Sequence, residues 1–275
     1  MGANTQSMIF TLYGDYIMRY GSKIWIGSLI RLLKEFGHTE QNVRVSVSRM
    51  VKQGWLQSEK KGNRSYYFLT KRGEKRMREA ANRIFKLKPT NWDQKWRLLM
   101  YTIPEDKRQV RDELRKELLW SGFGSFSNGC WISPNNLEEE VKLLIQKYNI
   151  ADHVDFFTAE YIGPHDHETL IKKSWSLGEI EARYEEFMNQ YSKQYIVHQS
   201  AISRNEMSDA ECFVERTNLV HEYRKFLFID PGLPQELLPS MWSGNSAALL
   251  FQEYYNLLEA PAYQFFEEIF HADNK

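Results

Sequence analysis

Two stretches of this sequence carry side chains whose types and spacing could do chemistry. In GPHDHE, residues 163–168, His165 and His167 flank Asp166 with Glu168 beside it. If the segment is extended, alternate residues point the same way and the two imidazoles could grip a divalent ion, with a third or fourth ligand coming from elsewhere. That ligand set is incomplete, and surface loops also carry such residues by chance. The second stretch begins with Gln41, Asn42, Arg44, Val45, Ser46, Ser48 and Arg49 and continues with Lys60, Lys61, Asn63, Arg64 and Ser65. Arg can span O6 and N7 of guanine, Asn can pair with N6 and N7 of adenine, and Ser donates to phosphates or bases.

Reading double-stranded DNA with those groups requires a helix backed by other helices and followed by a hairpin. Ile9, Leu12, Tyr13, Tyr16, Ile17 and Tyr20 recur at three-to-four-residue steps and predict a first helix closed by Gly21. KIWI is a short strand candidate. Leu29, Ile30, Leu33 and Phe36 mark a second helix that Gly37 can end. Thr39 is placed to cap a third helix, although Asn42 stands where a full capping box needs Glu or Gln. Burying Val43, Val47, Met50 and Val51 leaves Gln41, Asn42, Arg44, Val45, Ser48 and Arg49 outside, with Ser46 nearer the edge. WLQSE and RSYYFLT then alternate as paired strands should, around a KKGN turn, and Thr70 is placed to cap a basic helix over roughly 71–86. Helix, strand, helix, helix, hairpin is winged helix-turn-helix order, in which Lys60, Lys61, Asn63 and Arg64 on the hairpin would clamp phosphates beside the groove being read.

The charge distribution supports that order. Net charge over the 275 residues is zero, yet residues 1–88 hold 18 Lys and Arg against 6 Asp and Glu, while residues 89–275 hold 18 against 30. A basic segment of that size on an acidic body suits a polyanion, because phosphate neutralisation and counterion release supply most nonspecific affinity. The only cysteines are Cys130 and Cys212, which fit neither a metal pair nor a disulfide framework. With no secretory leader pattern and no apolar run near the ~20 residues of a membrane helix, the expectation is a cytoplasmic protein without membrane attachment.

The middle of the chain reads as βαββαβ. WRLLMYTIP is a strand, a helix follows from about Glu105 to Ser121, and GFGSFSNGCWIS forms two strands around an Asn128-Gly129 turn. A helix with Leu137, Val141, Leu144 and Ile145 and the strand HVDFFTAEYIG complete a ferredoxin-like unit. Small CRISPR-associated nucleases of this fold hold a metal with an acidic residue at the end of the first strand. Here no carboxylate lies within that strand, and Glu105 and Asp106 come only at the helix start, where they complement its dipole. A metal-dependent nucleic-acid-processing enzyme is therefore the alternative, and dimerisation the expected role.

From about Trp175 the pattern is mainly helical. One helix is built on Ile180, Tyr184, Phe187, Met188 and Tyr191 and another on Phe213, Leu219, Val220, Tyr223 and Leu227; DPGLPQELLP is a rigid turn before two more. The many aromatic residues are most simply core. The expected fold class is thus α+β and multidomain: a winged helix-turn-helix over residues 1–88, a ferredoxin-like dimerisation domain over 89–174, and a helical domain for effector binding or dimerisation over 175–275.

TLYGDYIMRYG, VRVSVSRMVKQGWL, RSYYFLT, the Trp92 and Trp96 pair, GFGSFSNGCWISP and HEYRKFLFIDPGLPQELLP occur in that order along nearly the whole chain. In these motifs the sequence resembles the PaaX family of repressors of phenylacetate-degradation operons. The resemblance implies a cytoplasmic bacterial transcription repressor, not an enzyme, that requires no cofactor. It also implies a homodimer on operator DNA, released by an aryl-coenzyme A thioester such as phenylacetyl-CoA. Such an effector needs an apolar slot and cations for its phosphates. Arg224 and Lys225, the only adjacent basic pair in the last hundred residues, are the candidates, with His221 one turn earlier. Read without the resemblance, His221 belongs to a helical surface and Arg224 and Lys225 to a salt-bridged one.

Overall fold

The computed structural model describes residues 4–84 and 91–272. The described residues form two compact units. One comprises Met1–Phe85, Phe187–Arg224 and Ala247–Lys275, the other Lys86–Glu186 and Lys225–Ser246.

In the first unit the chain runs α1 (Thr5–Asp15), a 3-10 turn (Ile17–Tyr20), β1 (Lys23–Trp25), α2 (Ile26–Lys34), α3 (Glu40–Lys52), β2 (Leu56–Lys61), β3 (Arg64–Leu69) and α4 (Lys71–Ile84). The strands form an antiparallel sheet in the order β1-β3-β2. This is the winged-helix order the sequence implies. The first helix stops at Asp15, earlier than its apolar spacing suggests, and the 3-10 turn carries the chain to Gly21 at φ +79°. Gly37 at φ +76° turns the chain between α2 and α3.

The helix α1 explains why this unit also draws on the other end of the chain. Met8, Ile9, Leu12, Tyr13, Tyr16 and the following Ile17 are buried, and so are Thr11 and Asp15, which lie off the apolar stripe. A helix buried on so many sides needs partners beyond α2 to α4. It finds α9 (Asp209–Tyr223), and α11 (Glu259–His271) packs against α9 and α2. Tyr16 contacts Phe213, Tyr263 and Phe266 in one aromatic cluster.

The second unit contains β4 (Trp96–Tyr101), α5 (Arg108–Trp120), β5 (Gly124–Ser127), β6 (Cys130–Ser133), α6 (Glu138–Tyr148) and β7 (Val154–Ala159). Its antiparallel sheet has the order β5-β6-β4-β7, the ferredoxin-like arrangement. Leu99 lies opposite Trp131 and Phe156, and these pack with Leu114, Leu118 and Val141 on the face covered by α5 and α6. On the other face Trp96 and Ile132 meet Leu170 and Ile171 of α7 (His167–Ser174) and Leu233 and Leu237.

The expected junction at residues 88 and 89 lies outside the described residues. The segment expected to form one helical body, 175–275, is divided between the units. Its long helices are α8 (Leu177–Ser203), α9, α10 (Ser243–Leu257) and α11. Pro261 stands inside the first turn of α11, where its missing N–H costs no helical bond. No described helix is long and apolar enough to cross a membrane.

Candidate nucleic-acid interface

The third helix presents the surface that its sequence pattern requires. Thr39 has an extended backbone, and its hydroxyl accepts a hydrogen bond from the Asn42 N–H at 3.3 Å, which closes the helix start. Val43, Val47 and Met50 are buried, Val51 half-buried. Gln41, Asn42, Arg44, Ser48 and Arg49 are exposed, Ser46 half-buried, and Val45 keeps 46% of its surface in solvent. An exposed apolar side chain among polar ones suits a thymine methyl better than it suits water. Arg44 pairs with Glu40 at 2.8 Å, but both ends are more than half exposed, so this bridge is worth only ~0–1 kcal/mol and yields readily to a base or a phosphate.

The hairpin turns on Gly62 and Asn63, with Lys61 paired to Arg64 and Lys60 to Ser65. Gly62 takes φ +60°, a value that favours glycine at the first place of a two-residue turn. Alternation puts Lys60 and Ser65 on the sheet face that buries Ile24, Leu56 and Leu69, and Lys61 and Arg64 on the outer face. Lys60, Lys61 and Asn63 are exposed at the tip. Arg64 and Ser65 are half-buried. The Arg64 guanidinium lies 5.1 Å from the Trp25 ring centroid, folded back along the sheet, so the expected cluster at the tip loses one of its cations to stacking. Lys23 bonds Glu59 at 2.6 Å across β3 and lies over Tyr66, which braces the wing on its outer face.

Two of the three candidate effector residues, His221 and Arg224, turn out to be engaged inside the first unit. Ser7, Thr11 and Asp15 stand four residues apart along α1 and therefore share a face. Opposite them, Arg224 donates to the Ser7 carbonyl at 3.0 Å and to its hydroxyl. His221 Nδ1 shares a hydrogen bond with Thr11 Oγ1 at 2.9 Å, and Arg216 donates to Asp15 Oδ2 at 2.7 Å. His221 is buried, not part of a helical surface. Arg224 is half-buried and bonded to Ser7, not to a surface carboxylate, and burial pulls its guanidinium down to about 10. Lys225, the next residue, is exposed.

Sequence reasoning missed the innermost part of this seam. Arg216 is fully buried, and its guanidinium lies 3.8 Å from the Tyr255 ring centroid. The Tyr255 hydroxyl donates to Asp15 Oδ1 at 2.7 Å, and the Tyr263 hydroxyl donates to the Asp15 carbonyl at 2.7 Å. Burial holds the Asp15 carboxyl above its usual range, opposed by the Arg216 charge and the Tyr255 hydroxyl. The four-residue spacing of Ser7, Thr11 and Asp15 within an apolar helix was the available signal.

The histidine cluster does not assemble as the extended reading requires. His167 is the first residue of α7 and packs edge-on against Trp92, with ring centroids 4.9 Å apart. The Asp166 carboxylate is used as that helix's cap, accepting from the Thr169 N–H at 2.8 Å. His165 is exposed, and among the described residues no group of three or more His, Cys, Asp or Glu could hold a metal ion. Of the carboxylates near β4, Asp93 is paired with Arg97 at 2.6 Å, and Glu105 pairs with Arg111 at 3.1 Å.

Comparison with known proteins agrees with this architecture. Residues 4–73 match the family model described as PaaX-like protein, residues 89–171 the PaaX protein central Cas2-like domain, and residues 175–268 the PaaX-like protein C-terminal domain. The chain is 33% identical over 265 residues to the Transcriptional repressor PaaX of Escherichia coli (strain K12), covering 95% of this chain and 83% of that protein. It is similar in fold to an uncharacterized protein from Mycobacterium tuberculosis, with a TM-score of 0.52 at 24% identity, covering 85% of this chain and 88% of the other.

Proposed function

We propose that this chain, which belongs to the PaaX family, is a DNA-binding transcription repressor that acts in the cytoplasm, not an enzyme. The single observation that carries the reading is the exposed face of α3, with Gln41, Asn42, Arg44, Val45, Ser48 and Arg49 beside a wing tipped by Lys60, Lys61 and Asn63. On this reading α3 lies in the major groove, Arg44, Arg49 and Asn42 meet base edges, and the wing cations meet phosphates. Arg64 joins them by swinging off Trp25, and Ser46 and Ser65 contribute from the margins.

The regulated genes are those of phenylacetate breakdown, and the releasing signal is an aryl-CoA thioester such as phenylacetyl-CoA. Release requires that the effector bind one arrangement of the repressor more tightly than the other, since a ligand indifferent to the two shifts nothing. Of the three candidate effector residues, only Lys225 has the exposure that a phosphate contact needs at once. A homodimer presents two α3 helices to half-sites about 10 bp apart, or a multiple of that. Met100 and Phe157, exposed on the sheet face away from α5 and α6, support a second copy docking there.

The test is a gel shift with DNA from upstream of the chain's own gene and of any adjacent phenylacetate genes. Retardation at nanomolar protein that phenylacetyl-CoA reverses is the expected result. Retardation that saturating effector leaves unchanged removes the sensing step and keeps the DNA reading; no retardation beyond that of random DNA removes both.

A further inference from the structure

The helix that follows the wing carries more positive charge than its own stability can explain. Over the 14 residues of α4 there are six basic residues, Lys71, Arg72, Lys75, Arg76, Arg78 and Arg83, against Glu74 and Glu79. Several of the cations stand three or four residues apart, which destabilises a helix by ~0.2–0.5 kcal/mol per like-charged pair. Glu79 relieves part of this, reaching Arg76 at 3.6 Å and Lys75 at 4.0 Å.

The remaining charge is ordered along one face. Gly73 and Ala80 are buried, and Lys71, Lys75, Arg78 and Asn82 are all exposed. Spaced by four, three and four, these four residues form one stripe, about 16 Å long at 1.5 Å per residue. Among the described residues Lys71 and Arg78 have no ion pair. A partner for such a stripe must itself be a line of negative charge.

The start of the helix that carries the stripe is fixed beside the elements assigned to DNA. Thr70 Oγ1 donates to the Gly54 carbonyl at 2.7 Å, in the turn between α3 and β2, and accepts from the Gly73 N–H at 3.1 Å. The Gly73 backbone lies so close to the Trp55 carbonyl that a Cβ there would be 2.7 Å from it. Arg72 stacks over the Trp55 ring at 4.3 Å. These contacts fix the start of α4 against the end of α3 and the base of the wing.

We propose that the Lys71–Lys75–Arg78 face of α4 is a second DNA-backbone site, gripping phosphates that flank the half-site read by α3. The inference rests on the DNA-binding reading above and adds to it a footprint beyond the groove. The stripe carries no sequence information. Its contribution is affinity that falls with salt and depends on the length of the DNA.

The experiment compares wild-type protein with Lys71→Gln/Lys75→Gln/Arg78→Gln by fluorescence anisotropy from 50 to 300 mM salt, on a long operator and on one trimmed to the half-sites. Neutralising three phosphate contacts is expected to make the slope of log K against log salt shallower by about two to three on long DNA. Trimming the flanks should do the same to wild type and nothing further to the variant. The charge-keeping variant Lys71→Arg/Lys75→Arg/Arg78→Lys should retain the wild-type slope. Equal slopes for wild type and the neutral variant on long DNA overturn the proposal, as does wild-type binding that ignores flank length. A change in sedimentation alone, with DNA slopes equal, overturns it in favour of an acidic protein surface. Failure of wild type to bind any DNA sinks the repressor reading itself, which a shared slope does not.

Discussion

Asp15 on α1 and Arg216 on α9 meet at 2.7 Å with neither side chain reaching solvent, 201 residues apart in sequence. The contact fixes the first helix of the DNA-binding module to the C-terminal helices. Next to it the Arg19 guanidinium bonds Glu259 at 3.2 Å and the Tyr255 hydroxyl at 3.2 Å, so the buried pair grades into an exposed one. Ionic groups in an interior are poor net stabilisers but costly to unpair, so the pair specifies the α1–α9 register more than it adds stability. Arg216→Met should destabilise the protein by ~3–5 kcal/mol, because it strands a buried carboxylate. Adding Asp15→Asn should recover part of that loss. A urea-denaturation cycle over wild type, the two single variants and the double variant measures the coupling, and simple additivity would show that the two residues act independently.

Base contacts and phosphate contacts should separate on mutation. On the proposed docking, Arg44→Ala and Arg49→Ala each remove a base-edge contact, and each should cost ~1–3 kcal/mol on the operator while leaving random DNA nearly unaffected. Lys60→Gln/Lys61→Gln removes charge from the wing tip, and should weaken operator and random DNA alike, with a salt slope shallower by about two. Competition titrations with both DNAs distinguish the classes. Equal losses on operator and random DNA for Arg44→Ala would place that residue on the backbone instead of in the groove.

The parts of the fold that repeat with a period were legible, and the parts that depend on distant partners were not. The valine stripe of α3, the glycines at 37 and 129 and the Thr39 and Thr70 caps are local devices, and each acts where the spacing puts it. Whether His221 points outward cannot be judged from α9 alone. Its partner is Thr11, 210 residues away, and only the packing of α1 against α9 decides which helix face becomes interior. The histidine pair at 165 and 167 failed for a local reason: Asp166 caps a helix, and the extended alternation that would align the two imidazoles ends there.

Acid should loosen the DNA-binding module through His38. Its Nδ1 shares a hydrogen bond with Thr5 Oγ1 at 3.1 Å, and its Nε2 is buried with no hydrogen-bond partner, so an added proton there would have no acceptor. Burial holds the imidazole below its ordinary value of 6.5. The unfolded chain then binds the proton more readily than the folded one. The His38 contribution is complete above pH 6.5 and declines as pH falls from there through the lower folded-state value. In His38→Gln, chemical denaturation between pH 7.5 and 5 should lack that part of the slope; a variant whose pH dependence matches wild type assigns the effect to other groups.

Gly129 offers a test of the ferredoxin-like unit that needs no DNA. It takes φ +72° in the turn after Asn128, and a Cβ there would stand 2.7 Å from the Tyr101 carbonyl oxygen. The same two residues are joined by the Tyr101 N–H donating to the Gly129 carbonyl at 2.8 Å, so the turn cannot back away from β4 without losing a bond. Gly129→Ala therefore combines a strained backbone angle with a steric clash against backbone, and should cost ~1–3 kcal/mol. Gly178, at the start of α8, has nothing within 4 Å of its Cβ position and no positive φ, and Gly178→Ala should be neutral or stabilising by up to ~1 kcal/mol through helix propensity. Thermal unfolding of the two variants should therefore move in opposite directions or differ by several degrees. Matching midpoints would mean that the hairpin relaxes around the added methyl and that the turn does not hold β6 against β4.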